Sequence, residues 1–156
     1  MLYFAYGSNM DADQMKCRCP SAEFKCRAKL PDHRLAFTRK SSNRGCGVAD
    51  VVPDEDKDVW GVVYDMDEQD VACLDRCEGY RPRRPKQCNA YVREECTVIE
   101  EGDPERPSKV WTYFANPLPD PPPPSDEYMQ TIIRGARHWG LPKGYVQKLE
   151  GIDTIS

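Results

Sequence analysis

Prolines near the C-terminal end restrict the fold of this 156-residue chain more than any other feature. Six of its 14 prolines fall within residues 116–124. Proline has no backbone N–H to give to a helix or a sheet, so this segment must be extended, polyproline-II-like chain. Such a segment is typical of a linker between domains, of a proline-rich ligand for a partner, or of a connection to terminal helices. The short remainder after residue 124 favours terminal helices that dock on the main body.

Length and charge narrow the class of protein. A chain of 156 residues fits a single domain, residues 1–156. The formal net charge of −4 argues against nucleic-acid-binding modules, which usually need a basic face. No apolar run approaches the roughly 18 residues of a membrane span, and residues 1–8 show no secretory signal. We therefore expect a cytoplasmic protein, monomeric or homodimeric, with no nucleic-acid or membrane partner.

The eight cysteines are expected to be reduced thiols, because no secretory signal accompanies them. Cys17, Cys19 and Cys26 offer three thiolates for a metal, but the chain has no cysteine and histidine block with zinc-binding spacing. Cys73 and Cys77, four residues apart on a predicted helix, read as small packing residues. We expect neither a metal nor a cofactor.

Apolar periodicity and turn residues predict more strands than helices. The predicted strands are residues 2–6, 22–30, 33–38, 48–52, 59–66, 91–99 and 110–115. The predicted helices start at Asp11 and cover residues 67–78, 126–139 and 142–150, with Asp67 and Ser125 as N-caps. Turns are expected at residues 31–32 and 53–56. Because the helices do not alternate with the strands, the class is α+β, with a mixed sheet that is curled or closed.

The first strand ends at a turn that can bind an anion. Tyr6 is followed by Gly7, Ser8 and Asn9, and a helix begins a few residues later. Backbone N–H groups at such a turn have no partner and converge on one point. Gly7 lets a ligand approach the main chain closely, and Ser8 and Asn9 add polar side chains. An ordinary capped turn is the alternative interpretation.

Glu78 is the candidate acid/base. It lies on the same side of the predicted helix as Val71 and Leu74, so its carboxylate is directed toward the interior. The helix dipole also disfavours negative charge at that end. Both effects raise the pKa of Glu78 toward the range of a general acid/base. The alternative is a glutamate at a frayed helix end that reaches solvent.

A serine hydrolase that used Ser8 as its nucleophile would need a sequence motif and a catalytic base that this chain does not offer. Ser8 follows a strand, but the Gly-x-Ser-x-Gly turn of such enzymes is absent. His33 and His138 are the only histidines, and both read as surface residues rather than as a catalytic base.

Four short motifs occur along the chain in a specific order. They are residues 3–10 (YFAYGSNM), 59–64 (VWGVVY), 74–79 (LDRCEG) and 124–128 (PSDEY). The tail adds Gly-Ala at 135–136, then Gly-Leu-Pro at 140–142 and Tyr145. Together they closely resemble the γ-glutamylcyclotransferase family over essentially the whole chain. The resemblance is to the subgroup that carries Tyr-Gly-Ser-Asn in its first loop.

The resemblance implies a small mixed β-barrel flanked by short helices. It implies cleavage of a small-molecule γ-glutamyl amide, with release of 5-oxoproline and a free amine or amino acid. It gives Glu78 the catalytic role, and it gives substrate binding to the first turn and to aromatic hydroxyls: Tyr6, Gly7, Ser8, Asn9, Tyr91, Tyr113 and Tyr128. The alternative is a non-catalytic ligand-binding or scaffold protein with the same fold.

The implied reaction suits the residues that are present. The α-amine of the substrate can close a five-membered ring on its own γ-carbonyl, so neither a protein nucleophile nor a metal is needed. One carboxylate with a raised pKa can take a proton from the α-ammonium and then protonate the leaving amine. Backbone N–H groups of the Gly7 turn can hold a carboxylate or an oxyanion.

Residues 79–88 depart from the family pattern. This segment is longer than expected and carries four cations, Arg81, Arg83, Arg84 and Lys86. It is either a rim that selects an anionic or bulky acceptor amine, or a solvated loop. The acceptor itself stays open among free amino acids, the remainder of glutathione and a biosynthetic metabolite.

Overall fold

The computed structural model describes residues 1–155, which form five strands and four helices. The strands are β1 (Leu2–Ala5), β2 (Glu23–Lys40), β3 (Gly47–Asp65), β4 (Tyr91–Glu100) and β5 (Arg106–Ala115). The helices are α1 (Ala12–Arg18), α2 (Glu68–Cys77), α3 (Asp126–His138) and α4 (Lys143–Glu150). None of these helices, in the part of the chain described, is long and apolar enough to cross a membrane.

The five strands close into a barrel in the order β1-β3-β2-β4-β5. Four of the neighbouring pairs are antiparallel. The fifth pair, β1 with β5, is parallel and closes the barrel at Tyr3 and Trp111. The sheet is therefore mixed and closed, which confirms the predicted fold class.

The central hairpin of β2 and β3 differs from the sequence prediction at two expected turns. Turns were expected at residues 31–32 and 53–56, but both strands continue through them. The register passes from Pro31 opposite Asp58 to His33 opposite Pro53, so Asp32 alone faces residues 54–57. The Asp56 N–H donates to the Asp32 carboxylate at 3.2 Å. These proline and acidic residues form a bulge, because the two strands pair with each other on both sides of it.

Helix α3 packs its apolar side against the barrel. Met129, Ile132, Ile133 and Ala136 are buried, and Ser125 caps the helix by accepting the N–H of Tyr128 at 3.1 Å, as predicted. Asp67 lies at the N-cap position of α2, but its side chain makes no capping hydrogen bond. The α3 cap is therefore held by a side-chain hydrogen bond that α2 lacks.

The proline-rich segment, residues 116–124, connects β5 to α3 along the outside of the barrel. The Leu118 N–H donates to Thr38 O at 2.8 Å, and the Gly47 N–H donates to Pro123 O at 3.0 Å. Asp120 has a φ of 50°, so the polyproline-II conformation expected for the segment is interrupted there. The segment therefore lies on the outer surface of the barrel, and it positions the start of α3 beside β3.

Candidate active site

A cavity at one end of the barrel brings together the predicted site residues. Its volume is about 40 Å³, and it is lined by the following residues: Tyr3, Tyr6, Gly7, Ser8, Asn9, Ala49, Glu78, Tyr91, Tyr113 and Tyr128. Every site residue predicted from the sequence lies in this wall. Tyr3 and Ala49 are additional.

The turn after β1 forms one side of the cavity. Residues Ser8–Met10 make a single 3₁₀ turn, closed by the Met10 N–H donating to Gly7 O at 3.1 Å. The first N–H groups of such a turn have no acceptor within it. Gly135 of α3 lies against this turn so closely that a Cβ there would overlap the main chain of Met10. The helix therefore holds the turn in place.

Glu78 lies at the end of α2, one residue beyond the last helical residue. Its side chain is 16% exposed. Oε1 accepts a hydrogen bond from Asn9 Nδ2 at 3.1 Å and lies 3.7 Å from Arg18 Nη1. Burial raises the pKa of Glu78, while Arg18 and the Asn9 hydrogen bond oppose the increase. The direction is the one that the sequence predicted, and burial is the main cause.

The Asn9 side chain connects Glu78 to α1. Its Nδ2 atom also donates to Tyr3 OH at 3.0 Å. Its Oδ1 atom accepts from Gln14 Nε2 at 3.0 Å and from Arg18 Nη1 at 2.9 Å. These donors determine which end of the amide faces the carboxylate. Asn9 is therefore oriented before any ligand arrives.

The cavity tyrosines fall into two groups according to the direction of their hydrogen bonds. Tyr6 donates to Tyr113 O at 2.6 Å, Tyr91 donates to Ala49 O, and Tyr113 donates to Asp75 Oδ1 at 2.6 Å. These hydroxyl protons are engaged within the protein.

The hydroxyls of Tyr3 and Tyr128 instead accept hydrogen bonds. Their donors are Asn9 Nδ2 and the Ala49 N–H, the latter at 2.9 Å. Burial raises the pKa of both phenols, so both stay protonated at neutral pH. In the described structure neither proton is given to a protein acceptor. Both are therefore available to an oxygen atom in the cavity.

Comparison with known proteins places this geometry in a family. Residues 58–149 match the model of the AIG2-like family. The chain is 35% identical to a γ-glutamylcyclotransferase of Mus musculus and 34% identical to that of Homo sapiens; each alignment covers 97% of this chain and 78% of the relative. The chain belongs to the γ-glutamylcyclotransferase family. A solved structure named γ-glutamyl cyclotransferase superposes with a TM-score of 0.89 at 31% identity, covering 99% of this chain and 89% of that one.

Family membership confirms the resemblance seen in the sequence motifs. Within residues 1–155, Ser8 is not part of a serine hydrolase arrangement. Ser8 Oγ accepts from Gln14 Nε2 at 2.8 Å, and neither His33 nor His138 lines the cavity within residues 1–155. The Nδ1 atom of His33 lies 2.9 Å from Pro31 O, away from Ser8.

Several residues around the site of this γ-glutamylcyclotransferase-family chain were not predicted from the sequence. Gln14 and Arg18 reach the site from α1, which was predicted only as a short helix. Asp75 binds Tyr113 and Arg93 behind the cavity wall. Asp75 could have been found, because it lies four residues after Val71 on a buried side of α2, where an acid needs partners.

The basic loop, residues 79–88, lies beside the cavity without lining it. Arg84 is bound to Asn89 Oδ1 and Gly79 O, and Lys86 pairs with Glu94 at 3.2 Å. Arg81 and Arg83 are exposed. The structure favours the solvated loop over the selective rim.

Proposed function

We propose that Glu78 is the general acid/base of a γ-glutamylcyclotransferase reaction in this chain. The reaction cleaves a γ-glutamyl amide and releases 5-oxoproline and a free amine. One observation carries the proposal: a mostly buried carboxylate with a raised pKa lies in a tyrosine-lined cavity, held by Asn9 and Arg18. A binding protein has no need of a carboxylate in that environment.

The carboxylate serves twice in one turnover. Ionised Glu78 takes a proton from the α-ammonium of the substrate, and the free α-amine attacks the γ-carbonyl carbon. A five-membered ring closes, and the bond from that carbon to the leaving nitrogen breaks. Glu78 then gives its proton to the leaving nitrogen, and the extra proton on the ring nitrogen passes to solvent or to the departing amine, so that 5-oxoproline keeps a single N–H. The nucleophile belongs to the substrate, so ring closure depends on how the glutamyl group is held.

The cavity wall supplies groups to hold the glutamyl portion. The available protons of Tyr3 and Tyr128 can be donated to substrate oxygens. The N–H groups at the start of the Gly7 turn offer further donors for the α-carboxylate or the developing oxyanion. Tyr6, Tyr91 and Tyr113 shape the cavity, since their own protons are given to protein acceptors.

The test is release of 5-oxoproline from a panel of γ-glutamyl amides, including γ-glutamyl amino acids and glutathione. We expect turnover by the wild type and a loss of about a thousandfold in Glu78→Gln, typical of a general acid/base. Glu68→Gln, an exposed glutamate on the same helix, is the matched control and should retain turnover.

Two results would overturn the proposal. Undiminished release by Glu78→Gln would remove this residue from the reaction. Binding of 5-oxoproline by the wild type, with no release from any amide, would favour a non-catalytic ligand-binding protein.

We also propose a cytoplasmic location and a metabolic role in the turnover of γ-glutamyl compounds such as glutathione. All eight cysteines are free thiols in the described structure, which is usual in a reducing compartment.

A further inference from the structure

A second, wider depression adjoins the active-site cavity. We call it the outer groove and define it by five cations that line it: Arg18, Arg39, Lys40, Arg44 and Arg76. These residues come from α1, β2, the β2–β3 loop and α2, so they converge only in the folded chain. Within residues 1–155, Glu78 is the single acid in its wall. The groove is therefore strongly positive in a chain whose net charge is −4.

Most of these cations have no carboxylate partner. Arg18 lies near Glu78, but Arg39, Lys40, Arg44 and Arg76 form no ion pair in the described structure. Like charges gathered without counter-charges repel one another. An anionic ligand relieves that repulsion.

Two of the unpaired arginines are held in position by neutral groups. Arg39 Nη1 donates to Asn116 O at 3.0 Å. Arg44 Nη2 donates to Gln14 Oε1 at 2.9 Å, and its guanidinium lies 4.8 Å from the centre of the Tyr128 ring. Both side chains are partly buried. Their positions are set before a ligand binds, which lowers the entropy cost of binding one.

The outer groove continues directly from the cavity. Ser8, Glu78, Tyr91 and Tyr128 line both spaces. A glutamyl group in the cavity brings its scissile amide beside Glu78, at this shared wall. The leaving amine and whatever it carries then extend into the groove.

We propose that the outer groove selects substrates whose leaving amine carries at least two negative charges. The preferred substrates are then γ-glutamyl amides of acidic amino acids or acidic peptides. This rests on the proposed function. The single carboxylate of a neutral amino acid leaves most of the four unpaired cations without a counter-charge. A second anionic group on the acceptor reaches the cations at the groove's outer side, Lys40 and Arg76, which are exposed.

The experiment compares kcat/KM for γ-glutamyl-glutamate and γ-glutamyl-glutamine, which match in size and differ in one charge. We expect the acidic substrate to be favoured about fivefold or more, the size of one partly exposed charge interaction. The preference should shrink as salt is raised from low ionic strength, because the groove is open to solvent.

Two double variants test whether the outer groove causes the preference for the acidic substrate. In Lys40→Gln/Arg76→Gln the ratio of the two kcat/KM values should fall toward one. Arg81→Gln/Arg83→Gln is the matched control, since it removes the same charge from exposed residues outside the groove. This control should keep the wild-type ratio.

Each other outcome overturns the inference. If γ-glutamyl-alanine is cleaved but the acidic substrate has no advantage, the inference fails and the proposed function stands. If both double variants lower the ratio equally, net charge rather than the groove sets the preference. If no γ-glutamyl amide is cleaved, the proposed function and the inference fail together.

Discussion

Asn9 and Glu78, 69 residues apart in the chain, meet through a hydrogen bond of 3.1 Å between Nδ2 and Oε1. Asn9 follows the first strand, and Glu78 directly follows α2. The bond favours the ionised carboxylate, while burial favours the neutral one. The pKa of Glu78 is thus set by opposed effects from separate elements, as an acid/base that must both take and give a proton requires.

Replacement of Asn9 tests its positioning role. Asn9→Ala removes the donor that orients Glu78 and leaves Tyr3 OH without that partner. We expect kcat to fall about tenfold to a hundredfold, with a smaller change in KM, because the misplaced carboxylate acts mainly in the chemical step. Steady-state kinetics on one γ-glutamyl amide would measure both. An equal loss in a folded variant of similarly lowered Tm whose substitution lies away from the cavity, such as Leu149→Ala in α4, would indicate a general structural effect instead.

The charge of Arg18 should be visible in the pH profile. Arg18 lies 3.7 Å from Glu78 and lowers its pKa against the larger effect of burial. Arg18→Met removes that charge, so the pKa of Glu78 rises. The acidic limb of kcat/KM then moves to higher pH, because the ionised base is required. Lys16→Met, an exposed cation on the same helix, is the control; a shift of the same size there would contradict the assignment.

Tyr128 should contribute to substrate binding through its available proton. Tyr128→Phe removes a hydroxyl in the wall shared by the cavity and the outer groove. We expect KM to rise about tenfold, the effect of one lost hydrogen bond. Stability should fall too, since the Ala49 N–H loses its acceptor. Tyr145→Phe, in α4 and away from the cavity, should leave KM unchanged. No rise in KM for Tyr128→Phe would show that its proton is not used.

Gly135 should be required for the packing of α3 on the Ser8–Met10 turn. In Gly135→Ala the new Cβ overlaps the main chain of Met10 and Asp11, so one element must move. We expect a loss of about 1–3 kcal/mol in the free energy of unfolding, typical of an overpacked core. Activity should fall too, because the turn carries Asn9.

Gly144→Ala is the matched control for this prediction. Gly144 is exposed in α4, and nothing lies within 4 Å of an added Cβ. Alanine there should stabilise the protein by about 0.5 kcal/mol, since it restricts the unfolded chain. Chemical denaturation would measure both variants. Equal effects of the same sign would contradict the contact argument.

The sequence predicted the type of nearly every element, because each is marked locally. Strands alternate or run apolar, α3 begins at a side-chain cap, and α2 and α3 are followed by Gly79 and Gly140 with positive φ. It failed at residues 31–32 and 53–56, where local turn residues predicted a reversal of the chain. Pairing between β2 and β3 on both sides of these residues outweighed that local preference.

The family resemblance predicted site residues that account for eight of the ten residues lining the cavity, all except Tyr3 and Ala49. Only the tertiary structure decided which tyrosine protons are available, that Asn9 holds Glu78, and that the outer groove gathers unpaired cations. Local patterns repeat every two or 3.6 residues and can be read along the chain. The distances that set pKa values and hydrogen-bond directions join residues far apart in sequence, and only the packing of the turn and the helices on the closed barrel determines them.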